Sequence, residues 1–432
     1  MQNLVLIGGG HSHAIALKQW GLNPLPDVQL TLITEVENTP YSGMLPGYVA
    51  GVYTHAECHI NLPALAQFAG AQLIVDRAVG LDLSQNCVLF ADRAPVPFDR
   101  LSINIGSTPA CAAVPGAAEY AIPIKPVPGF LAIWRRLLQQ TTQNPERALC
   151  LGIVGGGVGG VELALAMHSH LGQILRQAQQ PLSHLEIHLF HRGAALMPER
   201  NPWVRRHLQT ILRRRGIHLH LQETVVAVER LDRAQLTDPA ERADEATNAP
   251  VNNAAVAIEN TAVAIAPPRK SVIRCESGLA VACDRIFWVT HASAPQWPHQ
   301  SGLATTDSGF IQVAPTLQSL SHSQVFAAGD IATMVQSPRP KAGVFAVRQG
   351  LPLFRNLQRS LQGLPLKPYK PQRRFLTLIG TAQDPNPDPN PERTSRSAIA
   401  AWGPLGWDSP LLWQWKDRID RKFMHQFERP PV

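Results

Sequence analysis

Paired cysteines are what this chain most clearly lacks. Its six cysteines, Cys58, Cys87, Cys111, Cys150, Cys275 and Cys283, are scattered through 432 residues with no CxxC or CxxxxC spacing. That argues against a disulfide scaffold, a zinc site and a dithiol redox centre together, so no metal is expected and a reducing, cytoplasmic setting fits. Long apolar runs are also missing. No window approaches the roughly 20 apolar residues of a membrane span, and the glycine-broken apolar start has no basic leader, so the chain reads as neither secreted nor membrane-spanning. Charge is moderate: 39 Lys and Arg against 32 Asp and Glu give a net +7, bunched only near the C-terminus. Nucleic acid is therefore not expected as a partner. The hydrophobic share, 45%, is enough for two or more cores, and a multidomain soluble protein of enzyme size follows.

Glycine is placed to a pattern. "LVLIGGGHSHAIAL" (4–17) reads as a buried strand, a glycine turn and a helix, with Gly8 and Gly10 in the first two places of GxGxxG and His13 in the third. "CLGIVGGGVGGVELALAMHSHL", starting at Cys150, repeats the design with Gly155, Gly157 and Gly160 all present. A strand-like segment follows each, "VQLTLITE" (28–35) and "LEIHLFHR" (185–192). One such glycine run is weak evidence; two βαβ units about 147 residues apart are not a chance pattern. The chemistry is pyrophosphate binding: free N–H groups and the positive dipole end of a helix face the phosphates, and glycine removes the side chain that would keep them away. The residue ending the second strand reads the adenosine ribose. Glu35 stands there in the first unit, His191 and Arg192 in the second. A basic pair suits a 2′-phosphate, so NADPH is a candidate beside NADH; a solvated loop arginine is the equal alternative for Arg192.

Late in the chain, "SQVFAAGDIAT" (323–333) is a short apolar strand ending in Gly329 and Asp330. With the two glycine turns, in this order, it resembles the pyridine nucleotide-disulfide oxidoreductase superfamily. The resemblance covers nearly the whole chain. It implies FAD on the first unit, held also by His11, Ser12, Gly106 and the Gly329–Asp330 pair, and NAD(P)H on the second. Instead of the superfamily's dithiol the chain has "TPYSGMLPGYVAG" (39–51), similar to the flavin-lining segment of type II NADH dehydrogenases and sulfide:quinone reductases. Tyr41, Ser42 and Met44 would then line the flavin's other approach.

More narrowly, "GGGHSH", "TPYSGMLPG", "PKAGVFAVRQG" (340–350) and "LLWQWKDRIDRKFM" (411–424) resemble the type II NADH dehydrogenase-like proteins associated with selenide, water dikinase, which carry histidine where this chain has His13. The dikinase is thereby a candidate partner. His13 either donates a hydrogen bond or charge near the pyrophosphate, or widens the helix–strand spacing. The quinone-pocket pattern AQxxxQ falls on Gly343 to Arg348, with Val344 and Arg348 in its glutamine places, which weakens quinone as acceptor. A sulfide:quinone reductase needs two cysteines at the flavin; Cys111 and Cys150 read more simply as small buried hydrophobes. In the glycine-containing crossovers, "NIGSTP" keeps Gly106 while "VTHASAP" has His291.

The expected architecture is α/β, with two Rossmann-like domains: an FAD domain (1–120 and 285–365), an NAD(P) domain inserted in it (121–284), and a C-terminal region (366–432). Residues 234–270 read as a low-complexity surface insertion and 384–392 as a second surface loop, neither carrying chemistry. By resemblance Glu162 sits at the nicotinamide. Lys341, taken as opening the helix after "GD", either offsets charge on reduced flavin or is an exposed lysine. Leu412, Trp415, Ile419 and Phe423 recur at helical spacing among Lys416, Arg418, Arg421 and Lys422. A helix capping the flavin domain or a partner is favoured over a peripheral anchor on the inner face of a membrane. The expected activity is hydride transfer from NAD(P)H to FAD and on to a small-molecule, non-disulfide acceptor, a quinone or a selenium or sulfur species. The alternative is a flavin-binding docking or regulatory module for a selenium-handling enzyme, without turnover.

Overall fold

A computed structural model describes residues 1–109, 113–231, 270–290, 292–372, 375–386 and 395–428. Cys111, His291, nearly all of the 234–270 segment and most of 384–392 lie outside the described residues. Asp384, within them, is buried against Arg215, with Oδ2 3.4 Å from Nε.

Strands covered on both faces need near-continuous apolar runs, and Leu4 to Ile7 are all at most 3% exposed. Gln2–Ile7 forms the centre of a five-stranded parallel sheet in the order Val325–Ala327, Arg100–Ile103, Gln2–Ile7, Val28–Thr34, Gln72–Val75. A second parallel sheet repeats that order in four of its five strands, its edge strand coming before the others in the chain instead of after: Ile122–Pro123, Arg285–Trp288, Leu149–Val154, Leu185–His191, His218–Leu221. Residues 325–327 pair with the first sheet although they follow every strand of the second. One boundary moves: Arg285–Trp288 belongs to the second sheet, where Ile286, Phe287 and Trp288 are at most 2% exposed, so the return crossing follows Trp288 instead of preceding Arg285. Thr108–Pro109 pairs antiparallel with Ala292–Ser293 beside the two crossings.

Helix α1 (His11–Leu22) and helix α2 (Val158–Gln177) leave the two glycine turns. Helix α3 (Gly343–Leu361) packs on α1 at Gly350, where a Cβ would lie 2.6 Å from Ile15 Cβ. A three-stranded antiparallel sheet, Thr377–Gly380, Ala398–Trp402 and Leu405–Ser409, runs directly into helix α4 (Pro410–Glu428). None of the described helices is long and apolar enough to cross a membrane.

Candidate functional site

The first turn is closed by a histidine. Gly8 has φ +93°, a backbone that glycine adopts freely. His13, fully buried, places Nδ1 2.7 Å from the Gly8 carbonyl oxygen and Nε2 2.8 Å from Ser102 Oγ. A carbonyl only accepts, so Nδ1 carries the proton and Nε2 accepts from the Ser102 hydroxyl. Burial holds the imidazole down at about 4, so it is neutral at pH 7. Of the roles open to it, hydrogen bonding to the turn is what the geometry shows; charge is not available. Asn104, which the sequence reading missed, completes the turn. Its Oδ1 accepts from the N–H groups of Ser12 (3.1 Å) and His13 (3.3 Å), and its Nδ2 donates to the Ala328 carbonyl (2.7 Å).

The side chains of two residues expected to touch FAD are engaged by the protein itself. The Ser12 hydroxyl donates to the Ala346 carbonyl at 2.6 Å, tying α1 to α3. The His11 ring is edge-on to Tyr41 and Phe423, with Nε2 3.4 Å from the Ser42 N–H, and burial lowers its pKa. Glu35 does stand exposed past the second strand, 3.8 Å from Arg77 Nε. At Gly106, φ +75°, an added Cβ would meet nothing within 4 Å, which leaves room for a ligand.

Gly329 and Asp330 form a single 3-10 turn followed by a strand, Ala332–Met334, and the helix begins only at Gly343. Lys341 therefore stands just before the N-cap of the helix that follows Asp330, with a turn and a strand in between. Its ammonium donates to the Ala332 carbonyl (2.6 Å) and Thr333 Oγ1 (2.8 Å) and lies 4.0 Å from the Phe310 ring centroid; burial lowers its pKa to about 8 despite Asp330. It is neither an exposed lysine nor an unengaged charge. The cation at Asp330 is Lys125, also missed in the sequence: Nζ is 2.9 Å from Asp330 Oδ2 and 3.0 Å from Ser107 Oγ. Lys125 comes from the crossing into the second unit and so ties the two units at the "GD" turn. The Tyr41 ring stacks on Phe423 at 4.4 Å, and a Cβ on Gly343 would lie 2.7 Å from Ser42 Oγ, but Met44 is fully buried in the core.

The second turn is tighter. Gly155 has φ +128°, and a Cβ on Gly160 would fall inside the Gly155 carbonyl oxygen. At Gly157 a Cβ would meet nothing within 4 Å, the open space that a dinucleotide needs. His191 lies against the turn, its Cβ 2.8 Å from where a Gly156 Cβ would be, while Arg192 is exposed. Of that basic pair, Arg192 is the one presented to solvent.

Glu162 is 9% exposed, and its Oε1 accepts from the Gly380 N–H at 2.8 Å. Burial raises its carboxyl to about 7, against the opposing pull of Lys416. It shares a pocket with Gly47, Val52, Trp413 and Lys416, so α4 belongs to the site. The buried face of α4 is Leu412, Lys416, Asp420 and Met424, and Trp415 and Ile419 point outward. The expected apolar stripe is overturned because a buried pair, Lys416 Nζ to Asp420 Oδ2 at 2.7 Å, fills the inner face, with Nζ also donating to the Gly43 carbonyl at 2.7 Å. Tyr53 with Asp417 (2.7 Å) and Glu57 with Arg421 (2.8 Å) complete a cap on the first unit.

Two parallel sheets that share the order of four strands, each with a glycine turn at a helix start, define a two-dinucleotide α/β protein. Residues 2–350 match the family described as pyridine nucleotide-disulphide oxidoreductase, and the chain belongs to it. It is 30% identical over 227 residues to the NADH dehydrogenase-like protein YutJ of Bacillus subtilis, covering 50% of this chain and 58% of that one. It is 26% identical over 298 residues to human ferroptosis suppressor protein 1, covering 68% and 65%. The chain thus spans less than two thirds of either relative. Among solved structures, the sulfide:quinone oxidoreductase of Aquifex aeolicus shares the fold, with TM-score 0.70 and 15% identity over 100% of this chain and 92% of that one.

Proposed function

We propose that the protein oxidises NAD(P)H through a bound FAD and passes the electrons to a small-molecule, non-disulfide acceptor, a quinone or a selenium or sulfur species. The observation that carries this reading is the pair of glycine turns on sheets that share the order of four strands, with no cysteine pair at either turn among the described residues. Among the described residues one cysteine pair is in contact, Cys150 and Cys283 at 3.8 Å, at the opposite end of the second sheet from its turn. FAD supplies the hydride-accepting chemistry when bound. The chain supplies placement: Gly8, Gly10, Gly106, Glu35 and the Gly329–Asp330 turn on the flavin side, and Gly155, Gly157, Gly160 and Arg192 on the nucleotide side. Lys125 keeps positive charge at Asp330. Glu162, titrating near neutrality beside Lys416, is able to hold or release a proton at its carboxylate.

The narrower motifs favour selenide, water dikinase as a partner and a cytoplasmic location. Leu411, Trp415 and Ile419 of α4, with Trp402, Leu405 and Trp407 of the adjoining hairpin, are all exposed, and Arg418 and Lys422 lie nearby. Such a surface supports peripheral contact with a membrane. The activity is tested by anaerobic titration of the flavin-loaded protein with NADH and with NADPH, following flavin absorbance. Stoichiometric bleaching by at least one nucleotide is expected; no bleaching with either would leave a flavin-binding docking module as the better reading.

A further inference from the structure

The second sheet carries polar side chains where a parallel sheet covered on both faces is normally apolar. Three neighbouring strands read Cys150-Leu151-Gly152, Glu186-Ile187-His188 and His218-Leu219-His220. Alternation puts the first and third residue of each triplet on one face. The register sets Cys150 beside Glu186, Gly152 beside His188, and His188 beside His218. One ligand atom each from Cys150, Glu186 and His188 lies within 4.8 Å of the other two.

The surroundings fix these groups. The Cys150 N–H donates to Asp284 Oδ2 and the Asp284 N–H to the Cys150 carbonyl, both at 2.8 Å. Gly152 leaves room for the neighbouring sulfur, since a Cβ there would lie 3.0 Å from Cys283 Sγ. His188 Nδ1 is 2.9 Å from His220 Nε2, and its Nε2 is 3.7 Å from Glu186 Oε2. With Nδ1–H donating to His220, the His188 Nε2 lone pair faces the thiol and the carboxylate. An outer hydrogen bond of this kind orients a metal-ligating imidazole.

We propose that Cys150, Glu186 and His188 form a site for a zinc-class divalent cation, with water as the fourth ligand. One sulfur, one imidazole and one carboxylate suit zinc, whereas magnesium and calcium take oxygen ligands. Bonds of about 2.0–2.3 Å place tetrahedral ligands about 3.3–3.6 Å apart, so the three groups close by about 1 Å. Glu186, exposed at its strand, supplies that movement. Cys150 precedes Gly155 by about five residues at about 3.3 Å each, so the cation clamps the far end of the sheet and leaves the nucleotide turn clear. The sequence shows no local motif because its ligands come from two separate strands.

The test is titration of the full-length, flavin-loaded, chelator-stripped protein with Zn²⁺ against a chromophoric chelator. One tight site per chain is expected, weakened at least about tenfold by Cys150→Ser and by His188→Gln, and about tenfold by His220→Phe, which removes only the outer hydrogen bond. Co²⁺ should give the d–d bands of a tetrahedral thiolate site, to the red of oxidised flavin, in wild type and His220→Phe but not in Cys150→Ser. Retained flavin certifies folding of each variant. The proposal is overturned if Cys150→Ser binds Zn²⁺ as tightly as wild type, or if flavin-loaded wild type gives no thiolate–Co²⁺ bands.

Discussion

At Gly160 an added Cβ would fall inside the carbonyl oxygen of Gly155, yet at the equivalent place in the first turn a whole imidazole stands and donates to the carbonyl of Gly8. The sheets share the order of four strands, and their registers make the neighbours correspond as well. Leu6 pairs with Ser102 as Ile153 pairs with Phe287, so Ser102 answers to Phe287 and Asn104 to Val289. A Cβ on Gly8 would approach the Asn104 carbonyl (2.5 Å), and one on Gly155 the Val289 carbonyl (2.6 Å). The first turn is thus built from His13, Ser102 and Asn104, and the second from Gly160, Phe287 and Val289. The third glycine meets a distance requirement between helix and turn. In the first turn a neutral side chain that hydrogen-bonds the turn carbonyl stands in the glycine's place, with its other nitrogen and the neighbouring N–H groups also satisfied.

The largest break in this comparison should come from the apolar turn. Gly160→Ala pushes a methyl group against backbone, which has no rotamer by which to yield, so a loss of about 3 kcal/mol or more and loss of NAD(P)H binding are expected by chemical unfolding and titration. Stability within about 0.5 kcal/mol of wild type would refute the tight closure. Next, His13→Gly removes two hydrogen bonds and leaves the Ser102 hydroxyl unpaired, for about 2–3 kcal/mol and reduced flavin retention. Adding Ser102→Ala to it should cost less than the two single losses combined, since the partners are coupled.

Glu162 sharpens the second unit through pH. Its carboxyl is raised to about 7 in the folded chain from an ordinary 4.5. The folded state therefore holds its proton after the unfolded state has released it, and stability falls as pH rises from 4.5 to about 7. Glu162→Gln keeps an acceptor for the Gly380 N–H and abolishes that slope, gaining on the order of 3 kcal/mol above pH 7. A parallel stability–pH curve for the variant would contradict the assignment. The smallest effect concerns Arg192. If its guanidinium forks onto a 2′-phosphate, Arg192→Ala should lower the NADPH-to-NADH affinity ratio by about one decade, roughly 1.4 kcal/mol; an unchanged ratio would assign Arg192 to solvent.

Both glycine turns and the sheets behind them were legible because their signals are local: an apolar run, a glycine spacing, a helix, another strand. What joins distant segments was not. Asn104 caps a turn more than ninety residues earlier in the chain, and Lys125 meets Asp330 across |i−j| = 205. The inner face of α4 was misread for a physical reason: Lys416 and Asp420 look like solvent residues until their mutual pairing and the Gly43 carbonyl permit burial. The single turn and short strand between Asp330 and the helix that Lys341 precedes were not legible either.

The closure of the first glycine turn by a neutral imidazole is read most directly by long-range ¹H–¹⁵N NMR of the ring of His13, identified by its loss in His13→Gln. The structure predicts a neutral ring with the proton on Nδ1 throughout pH 5.5 to 8, in keeping with its pKa near about 4. A ring that titrates near the ordinary histidine value of about 6.5, or one protonated on Nε2 alone, would contradict it.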